Sequence, residues 1–386
     1  MLPIVFQALP KWDGAYNSTA LTISKMLSAG RKVFYVEHPF SITDTMRNRN
    51  RTQLKKRKDR FTIFPFNDHP NFFVINPPNI IPINSLSENW AYQFLKKQYI
   101  RSLWKRIDFV LNSMGIHEFG YVNSFDPVFF EFNSALKCRF KIYHSVDLIE
   151  GEPYIAKHGV KAEKIASTKA DMVVTTSNPL KERLKPFNKN TVCIPNAADF
   201  KHFSSTQKKP VEYQSSNRKK LVYTGNIGLR IDYGLLERLA RLYPDIDIYL
   251  VGPKDPAYFG GQKLETVSNI HILGAKNYTE LPAYLHHADV LIIPFLKNEL
   301  TRHIYPLKLN EYLATGKPVI TTRFTDLTGF EDVLTILDTD AEEKEILQHS
   351  ILENNALVCE ARIQRASQNT WEHRIIEWET ILNELS

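Results

Sequence analysis

The sequence predicts an α/β protein built from two successive Rossmann-like, doubly wound domains. Short apolar segments of β type alternate with amphipathic helical segments, which is the pattern of parallel α/β sheets. This alternation stops at a polar stretch, residues 203–220, and then starts again. A length of 386 residues, with 43% hydrophobic and 24% charged residues, suits two or three ordinary globular domains.

In the first half, apolar runs define the strands, and glycine or charge runs separate the elements. The predicted strands are 3–9, 32–36, 72–75, 120–123, 140–144 and 172–176. A helix is expected over 18–29, where Gly30 stops it, and a long helix over 88–114. The prolines at 77, 78 and 82 break the chain between these elements.

In the second half the same reasoning gives a second complete set of elements. The predicted strands are 220–223, 246–251, 270–273, 290–294 and 318–321, and the predicted helices are 233–242, 281–286 and 308–314. The tail 341–385 is predicted to be helical. We therefore expect an N-terminal domain over 1–200, a linker over 201–219, a C-terminal domain over 220–365 and a final helix over 366–386.

Charge is distributed unequally between the halves. Residues 1–200 hold 28 Lys and Arg against 17 Asp and Glu, whereas residues 201–386 hold 21 against 25. This difference in charge suggests that the two domains bind different partners. The three cysteines, Cys138, Cys193 and Cys359, cannot form a disulfide framework, so a reducing compartment is expected. No apolar run reaches the ~18 residues of a membrane span, and Met1 to Ala8 lacks the basic start of a signal peptide.

Ligands of open α/β sheets bind at the carboxyl ends of the strands, so the site should lie there, in a cleft between the domains. One candidate is the turn after strand 220–223, with Gly225, Asn226, Gly228 and Arg230. Glycines let backbone amides approach a phosphate, and arginine adds a charged donor. A plain tight turn with a surface arginine explains the same residues.

The second candidate is the segment after strand 290–294. A polar loop leads into a helix near Pro306, where Lys308 and Glu311 share one face. Such a face can present a cation to a diphosphate and a carboxylate to sugar hydroxyls. An ordinary salt-bridged surface pair is the alternative.

Residues 294–319 resemble, as an ordered set, the donor-binding signature of two-lobed GT-B nucleotide-sugar glycosyltransferases. The resemblance is greatest to bacterial family-4-like enzymes of the teichuronic-acid and surface-polysaccharide type. The matching residues are Pro294-Phe295, Asn298, Leu300-Thr301, Pro306-Leu307-Lys308 and Glu311 to Val319. Weaker matches are Trp12-Asp13-Gly14, Ile194 to Asp199, Val251-Gly252-Pro253 and Trp371.

The resemblance implies roles for individual residues of the donor site. Glu311 would hold the ribose, and Arg230 and Lys308 would meet the diphosphate. His303 stands where the family has the first glutamate of its paired motif. Gly225, Asn226, Pro294, Thr301 and Leu307 complete the predicted donor site. The resemblance also implies a metal-independent enzyme with no cofactor, and a final helix that packs back on the first lobe.

Acceptor-side candidates follow strands of the first domain. Asp147 comes just after strand 140–144, where a carboxylate can take the proton from an acceptor hydroxyl. A helix N-cap is the alternative role for Asp147. Asp126 is a second catalytic candidate, although an Asx-Pro turn also explains it. Asp13, Gly14 and His144 complete the predicted acceptor side.

Basic and aromatic residues of the first domain suggest a membrane surface. The run 47–60 holds eight Lys and Arg, and the helical segment 90–109 mixes aromatic with basic residues. Anionic headgroups attract such a combination. A solvated loop and a helix whose aromatics fill the core are the alternative. Nothing in this domain matches a nucleic-acid recognition motif, so no nucleic-acid partner is expected.

Together these features predict a glycosyltransferase of the hexosyltransferase class. It would move a sugar from a UDP- or GDP-linked donor to a glycan or lipid-linked acceptor in surface-polysaccharide synthesis. The expected location is the cytoplasm, peripherally attached to the inner face of the plasma membrane. A nucleotide-sugar 2-epimerase and a non-catalytic GT-B partner subunit are the alternatives.

Overall fold

The computed structural model describes residues 1–10, 18–39, 69–338, 340–352 and 354–386. The chain divides into two compact units. The first comprises Met1–Pro195 together with Ile375–Ser386, and the second comprises Asn196–Arg374. Each unit has its own parallel sheet and its own hydrophobic core.

The first unit holds a seven-stranded parallel sheet in the order β3-β2-β1-β4-β5-β6-β7. Its strands are β1 (Ile4–Ala8), β2 (Val33–Glu37), β3 (Phe72–Ile75), β4 (Glu118–Ser124), β5 (Lys137–Ser145), β6 (Met172–Thr175) and β7 (Thr191–Cys193). Its helices are α1 (Thr19–Leu27), α2 (Trp90–Ser113), α3 (Pro153–Lys169) and α4 (Asn178–Leu184). Strands β1, β2 and β3 are buried along their whole length, which is why they are predominantly apolar.

The second unit holds a six-stranded parallel sheet in the order β10-β9-β8-β11-β12-β13. Its strands are β8 (Lys219–Thr224), β9 (Ile246–Val251), β10 (Ile270–Gly274), β11 (Val290–Ile293), β12 (Val319–Thr322) and β13 (Thr335–Leu337). Its helices are α5 (Phe200–Ser204), α6 (Tyr233–Leu242), α7 (Leu281–His286), α8 (Glu299–Arg302), α9 (Leu307–Leu313), α10 (Ile346–Leu352) and α11 (Ala356–Ser367). Helix α12 (Trp371–Glu384) follows and passes from the second unit into the first.

The predicted fold class, two doubly wound α/β units, is confirmed. Helix α6, strand β9 and helix α7 have the predicted bounds to the residue. Strands β7 and β13 were not predicted, and each is three residues long. Helix α3 was also missed, because the residues it buries include His158, Glu163 and Ser167, so the apolar pattern of an amphipathic helix is weak.

The prediction that residues 201–219 form a free linker between the domains is wrong. The second unit begins at Asn196, before this segment. Phe203 and Tyr213 are both fully buried in the core of that unit. The Tyr213 ring lies 4.5 Å from the Tyr249 ring and 5.6 Å from the Tyr284 ring. Two aromatic anchors in a polar stretch therefore pack this segment against the second sheet.

Helix α12 supplies part of the core of the first unit. Trp378 and Leu382 are fully buried, and the Trp378 ring meets the His144 ring edge-on at 5.2 Å. Glu379 forms an ion pair with Arg31, whose side chain is completely buried. The helical tail that the sequence predicted over 341–385 is divided into helices α10, α11 and α12.

Candidate functional site

A glycine loop follows strand β8 in the second unit and is fixed on both sides. The Ile227 amide donates to the Pro253 carbonyl at 2.9 Å, beyond the end of β9. On the other side, the Leu296 amide donates to the Arg230 carbonyl at 2.9 Å, and the Asp232 amide donates to the Pro294 carbonyl at 2.8 Å. Pro294 is buried, and it holds the loop through its backbone carbonyl. The loop is built between two neighbouring strand ends, which is where the sequence predicted a ligand site.

Close backbone packing explains why this loop contains glycine. Gly225 has a φ of +135°, and its amide donates to the Val251 carbonyl at 2.8 Å. Gly252, with a φ of +157°, lies so close that a β-carbon there would overlap the Gly225 carbonyl. Only glycine fits both positions without displacing the backbone.

Helix α9 is held at the end of strand β8 by Tyr312. The Thr224 amide donates to the Tyr312 hydroxyl at 2.7 Å, and that hydroxyl donates back to the Thr224 carbonyl at 3.3 Å. Both residues are buried. The sequence analysis did not assign Tyr312 to the site, because its contribution is to place the helix that carries Lys308 and Glu311.

Lys308 reaches across the glycine loop from the first turn of helix α9. Its Nζ lies 5.8 Å from the centre of the Tyr223 ring and 5.9 Å from the centre of the Phe295 ring. Its side chain passes over Gly225. Aromatic faces on two sides stabilise the ammonium group and orient it. The helix therefore carries a cation to the carboxyl end of β8.

Glu311 follows Lys308 by three residues but lies in a different environment. The residue is 7% exposed, and no hydrogen bond to its carboxylate occurs within the described ranges. Burial raises the pKa of Glu311 to about 7, although the nearby Lys308 charge opposes this shift. The alternative of a surface salt-bridged pair is therefore wrong. A buried carboxylate that lacks a protein donor can accept hydrogen bonds from ligand hydroxyls.

The remaining predicted donor residues divide by role. Asn226 is exposed on the loop, and its carbonyl accepts from the Tyr223 hydroxyl at 3.0 Å. Thr301 is fully buried in a capping box with Asn298 at the start of helix α8. His303 ends that helix, and its Nδ1 donates to the Glu299 carbonyl at 2.8 Å. Leu307, half-buried, opens helix α9. Thr301 therefore shapes the loop before helix α9, and Asn226 faces solvent.

The acceptor-side candidates lie in different environments. Asp13 and Gly14 lie outside the described residues. Asp147 follows strand β5 and is half-buried. It is not a helix N-cap, since Leu148 and Glu152 hold those positions. This geometry excludes the alternative role suggested for Asp147.

His144 and Asp126 are both buried. His144 shares a hydrogen bond of 2.9 Å with the Ser124 hydroxyl, and burial lowers its pKa to about 3. Asp126 is fully buried at the end of strand β4. Its carboxylate accepts hydrogen bonds from Gln7 and His38, so it does more than close an Asx-Pro turn. Neither residue can meet a ligand by its own side chain without a change in packing.

Helix α2 carries two kinds of aromatic residue. Tyr92, Tyr99 and Trp104 are buried in the core, as the alternative interpretation expected. The other three are exposed, namely Trp90 (81%), Phe94 (55%) and Phe109 (58%). Lys97, Arg101 and Lys105 are exposed on the same helix. The basic run 47–60 lies outside the described residues, and no helix in the described ranges is long and apolar enough to span a membrane.

Comparison with known proteins agrees with this geometry. Residues 218–348 match the family model described as Glycosyl transferases group 1. This range begins just before β8 and includes the glycine loop and helix α9. The second unit therefore resembles a group 1 glycosyltransferase domain.

The chain also has a curated relative. The chain is 28% identical over 135 residues to TuaH of Bacillus subtilis (strain 168), a glycosyltransferase assigned to teichuronic acid biosynthesis. This match covers 33% of this chain and 33% of TuaH, about a third of each.

Solved structures extend the comparison to both units. Sucrose-phosphate synthase from Thermosynechococcus elongatus superposes with a TM-score of 0.70 at 15% identity, covering 100% of this chain and 99% of that one. Anabaena Alr3699/HepE, solved in complex with UDP, gives 0.64 at 12% identity, covering 99% and 100%. At these identities the likeness establishes the fold. The chain thus has the GT-B fold, with two α/β units.

Proposed function

We propose that the chain transfers a glycosyl group from a nucleoside diphosphate sugar to a hydroxyl acceptor, with the second unit binding the donor. The observation that supports this most is the pairing of Lys308 and Glu311 at the glycine loop. Lys308 supplies a cation beside Gly225, where backbone amides can approach a diphosphate. Glu311 supplies a buried acceptor for the ribose hydroxyls.

The donor side of this proposal has support from relatives. Anabaena Alr3699/HepE has the same fold and was solved with UDP. Arg230 lies at the end of the glycine loop and is half-buried. We propose its guanidinium as a second cation for the diphosphate. Two cations and backbone amides can neutralise the leaving diphosphate, so we propose transfer without a metal ion. UDP and GDP are both candidate nucleotides.

The acceptor side has support of a different kind. TuaH is assigned to teichuronic acid biosynthesis, which favours a surface glycan or a lipid-linked precursor as acceptor. The exposed aromatic and basic residues of helix α2 suit the headgroup region of an anionic membrane. We therefore propose that the enzyme works in the cytoplasm, bound peripherally to the inner face of the plasma membrane.

The decisive experiment measures nucleotide binding and turnover separately. Calorimetry with UDP and GDP identifies the nucleotide, and nucleoside diphosphate release is then followed with the matching sugar donors. We expect binding by the wild type, and a loss of ~1.5–3 kcal/mol of binding free energy in Lys308→Ala and in Arg230→Ala. Lys263→Ala, at an exposed position of the same unit, is the control.

Three results would contradict the proposal in distinguishable ways. Unchanged nucleotide affinity in both variants removes the phosphate assignment. Binding without release across a panel of donors and acceptors indicates a non-catalytic partner subunit. Conversion of a donor sugar to its 2-epimer, without any acceptor, indicates the epimerase.

A further inference from the structure

A histidine that the sequence analysis did not select stands beside the buried Asp126. His38 directly follows strand β2, and Asp126 lies two residues beyond strand β4. Strand β1 separates these two strands in the sheet, and all three are parallel. Both residues therefore lie at the carboxyl edge of the first sheet, where open α/β sheets bind their ligands.

The two side chains form a hydrogen-bonded pair with opposite exposures. His38 Nδ1 lies 3.2 Å from Asp126 Oδ1. The His38 side chain is 33% exposed, whereas that of Asp126 is 1% exposed. A carboxylate only accepts hydrogen bonds, so Nδ1 carries a proton, and in the neutral imidazole Nε2 then carries the lone pair. The pair thus presents His38 Nε2 as a proton acceptor, and the buried Asp126 carboxylate stabilises the positive charge that the ring gains.

A polar network fixes Asp126 in this position. Gln7 Nε2 donates to Asp126 Oδ2 at 3.1 Å, and the Tyr121 hydroxyl donates to Gln7 Oε1 at 2.9 Å. The Asp126 amide donates to Asn123 Oδ1 at 3.1 Å. Gln7, Tyr121, Asn123 and Asp126 are all buried, so each bond is costly to lose.

The backbone before Asp126 is held in an unfavourable conformation. Phe125 has a φ of +59°, the one positive φ among the non-glycine residues of the described chain. The Phe125 amide donates to the His144 carbonyl at 2.8 Å, which keeps the turn in place. An aromatic residue in this region is strained, and such strain is concentrated at functional sites. Directly after this turn, the Asp126 side chain contacts Gln7 and His38.

We propose that His38 is the catalytic base of glycosyl transfer and that Asp126 is its positioning residue; this rests on the proposed function. His38 Nε2 takes the proton of the acceptor hydroxyl. The acceptor oxygen then forms the bond to the anomeric carbon, and the bond from that carbon to the diphosphate oxygen breaks. The nucleoside diphosphate leaves with the electron pair. A single displacement of this kind inverts the anomeric configuration.

Asp126 contributes by fixing the tautomer and the ring orientation of His38. In Asp126→Asn the amide can present its NH₂ group to Nδ1, which moves the proton to Nε2 and removes the lone pair from the exposed side. Asp147 is the rival base, since it is half-buried at the end of the adjacent strand β5.

The test uses the full chain with its nucleotide-sugar donor, and water serves as the acceptor probe. Nucleoside diphosphate release is measured for the wild type, His38→Ala, Asp126→Asn and Asp147→Asn. We expect kcat to fall about 10²–10⁴-fold in His38→Ala, and added imidazole to restore part of it. Nucleotide affinity should stay at the wild-type value. Asp126→Asn should lower kcat at unchanged donor KM and shift the ¹⁵N signals of His38 to the other tautomer.

His117→Gln is the matched control, because His117 is exposed just before strand β4, at the opposite edge of the same sheet. Full turnover in His38→Ala overturns the proposal. A second contradicting result has two parts: imidazole does not restore turnover in His38→Ala, and Asp147→Asn loses as much turnover as His38→Ala. That result assigns the base to Asp147. Retained configuration of the released sugar, read by NMR, also overturns it. A wild type that binds no nucleotide and releases no diphosphate overturns the proposed function as well, which is a distinct result.

Discussion

The ammonium group of Lys308 lies against Gly225, so that a β-carbon built on Gly225 would be 2.7 Å from Lys308 Nζ. The absence of a side chain at residue 225 is thus what allows the cation to reach the glycine loop. A glycine chosen for backbone freedom also creates the space for a charged group on another element.

Gly225→Ala should disturb the loop in two ways. The φ of +135° disfavours alanine, and the new methyl group displaces Lys308. We expect a loss of about 1–3 kcal/mol in unfolding free energy and weaker nucleotide binding. Gly329→Ala is the control, since Gly329 has a φ of +84° with no atom near its β-position. If both variants bind nucleotide equally well, Lys308 is not placed by Gly225.

Glu311→Gln should change how stability depends on pH. The folded pKa of about 7 lies above the ordinary value of 4.5, so the folded state favours the protonated acid. Stability from this group is complete below about pH 4.5 and is lost as pH rises through about 7. Glutamine imitates the protonated form, so the variant should exceed the wild type in Tm near pH 8 and equal it near pH 4. A constant Tm difference at all pH values would contradict the buried carboxylate.

Tyr312→Phe should loosen helix α9 without removing a ligand group. The variant leaves the Thr224 amide buried without its acceptor, which costs about 1–3 kcal/mol in unfolding free energy. Nucleotide affinity should fall as well, because Lys308 and Glu311 depend on this helix. Tyr258→Phe, at an exposed position of the same unit, should be silent in both assays. Denaturant unfolding and calorimetry measure the two effects.

The exposed face of helix α2 should bind anionic vesicles. Vesicles of equal parts phosphatidylglycerol and phosphatidylcholine should sediment the wild type at low salt and release it at high salt. Replacing Trp90 and Phe94 by serine should weaken this binding while nucleotide affinity is kept. Leu357→Ser, which removes an exposed apolar side chain of the second unit, is the control. Reversing four basic residues of 47–60 to glutamate tests the charge contribution separately.

Glu379→Gln should destabilise the first unit. It removes the charge opposite Arg31, whose side chain is fully buried. We expect a loss of up to about 3 kcal/mol, at the lower end for breaking a buried pair, because Glu379 itself is 23% exposed. Glu384→Gln, an exposed position on the same helix, should cost little. Equal unfolding midpoints for the two variants would show that the pair adds nothing to stability.

The sequence predicts the fold well where burial produces long apolar runs. Strand β9 and helix α6 were predicted to the residue, since both carry strong periodic patterns. Helix α3 was missed because it buries polar groups, and Phe203 and Tyr213 were hidden in a polar segment. The hydrophobic pattern of a short segment does not show which distant residues the segment packs against.

The candidate site also contains residues that the sequence could predict and one that it could not. Lys308 and Glu311 could be predicted, because one short segment contains the helix start and both residues. His38 could not, since its partner Asp126 is 88 positions away and only the sheet order brings them together. A histidine after a strand carries no signal until its carboxylate partner is known.

The path of helix α12 has a consequence for how the protein is made. A ribosome completes residues 1–195 long before Ile375–Ser386 emerges, yet Trp378 and Leu382 belong to the interior of the earlier unit. During synthesis the surface later covered by Trp378 is exposed to water, next to His144. The first unit therefore reaches its final packing only after the second has been translated. A gene fragment cut at residue 195 would encode a unit with an unfilled groove.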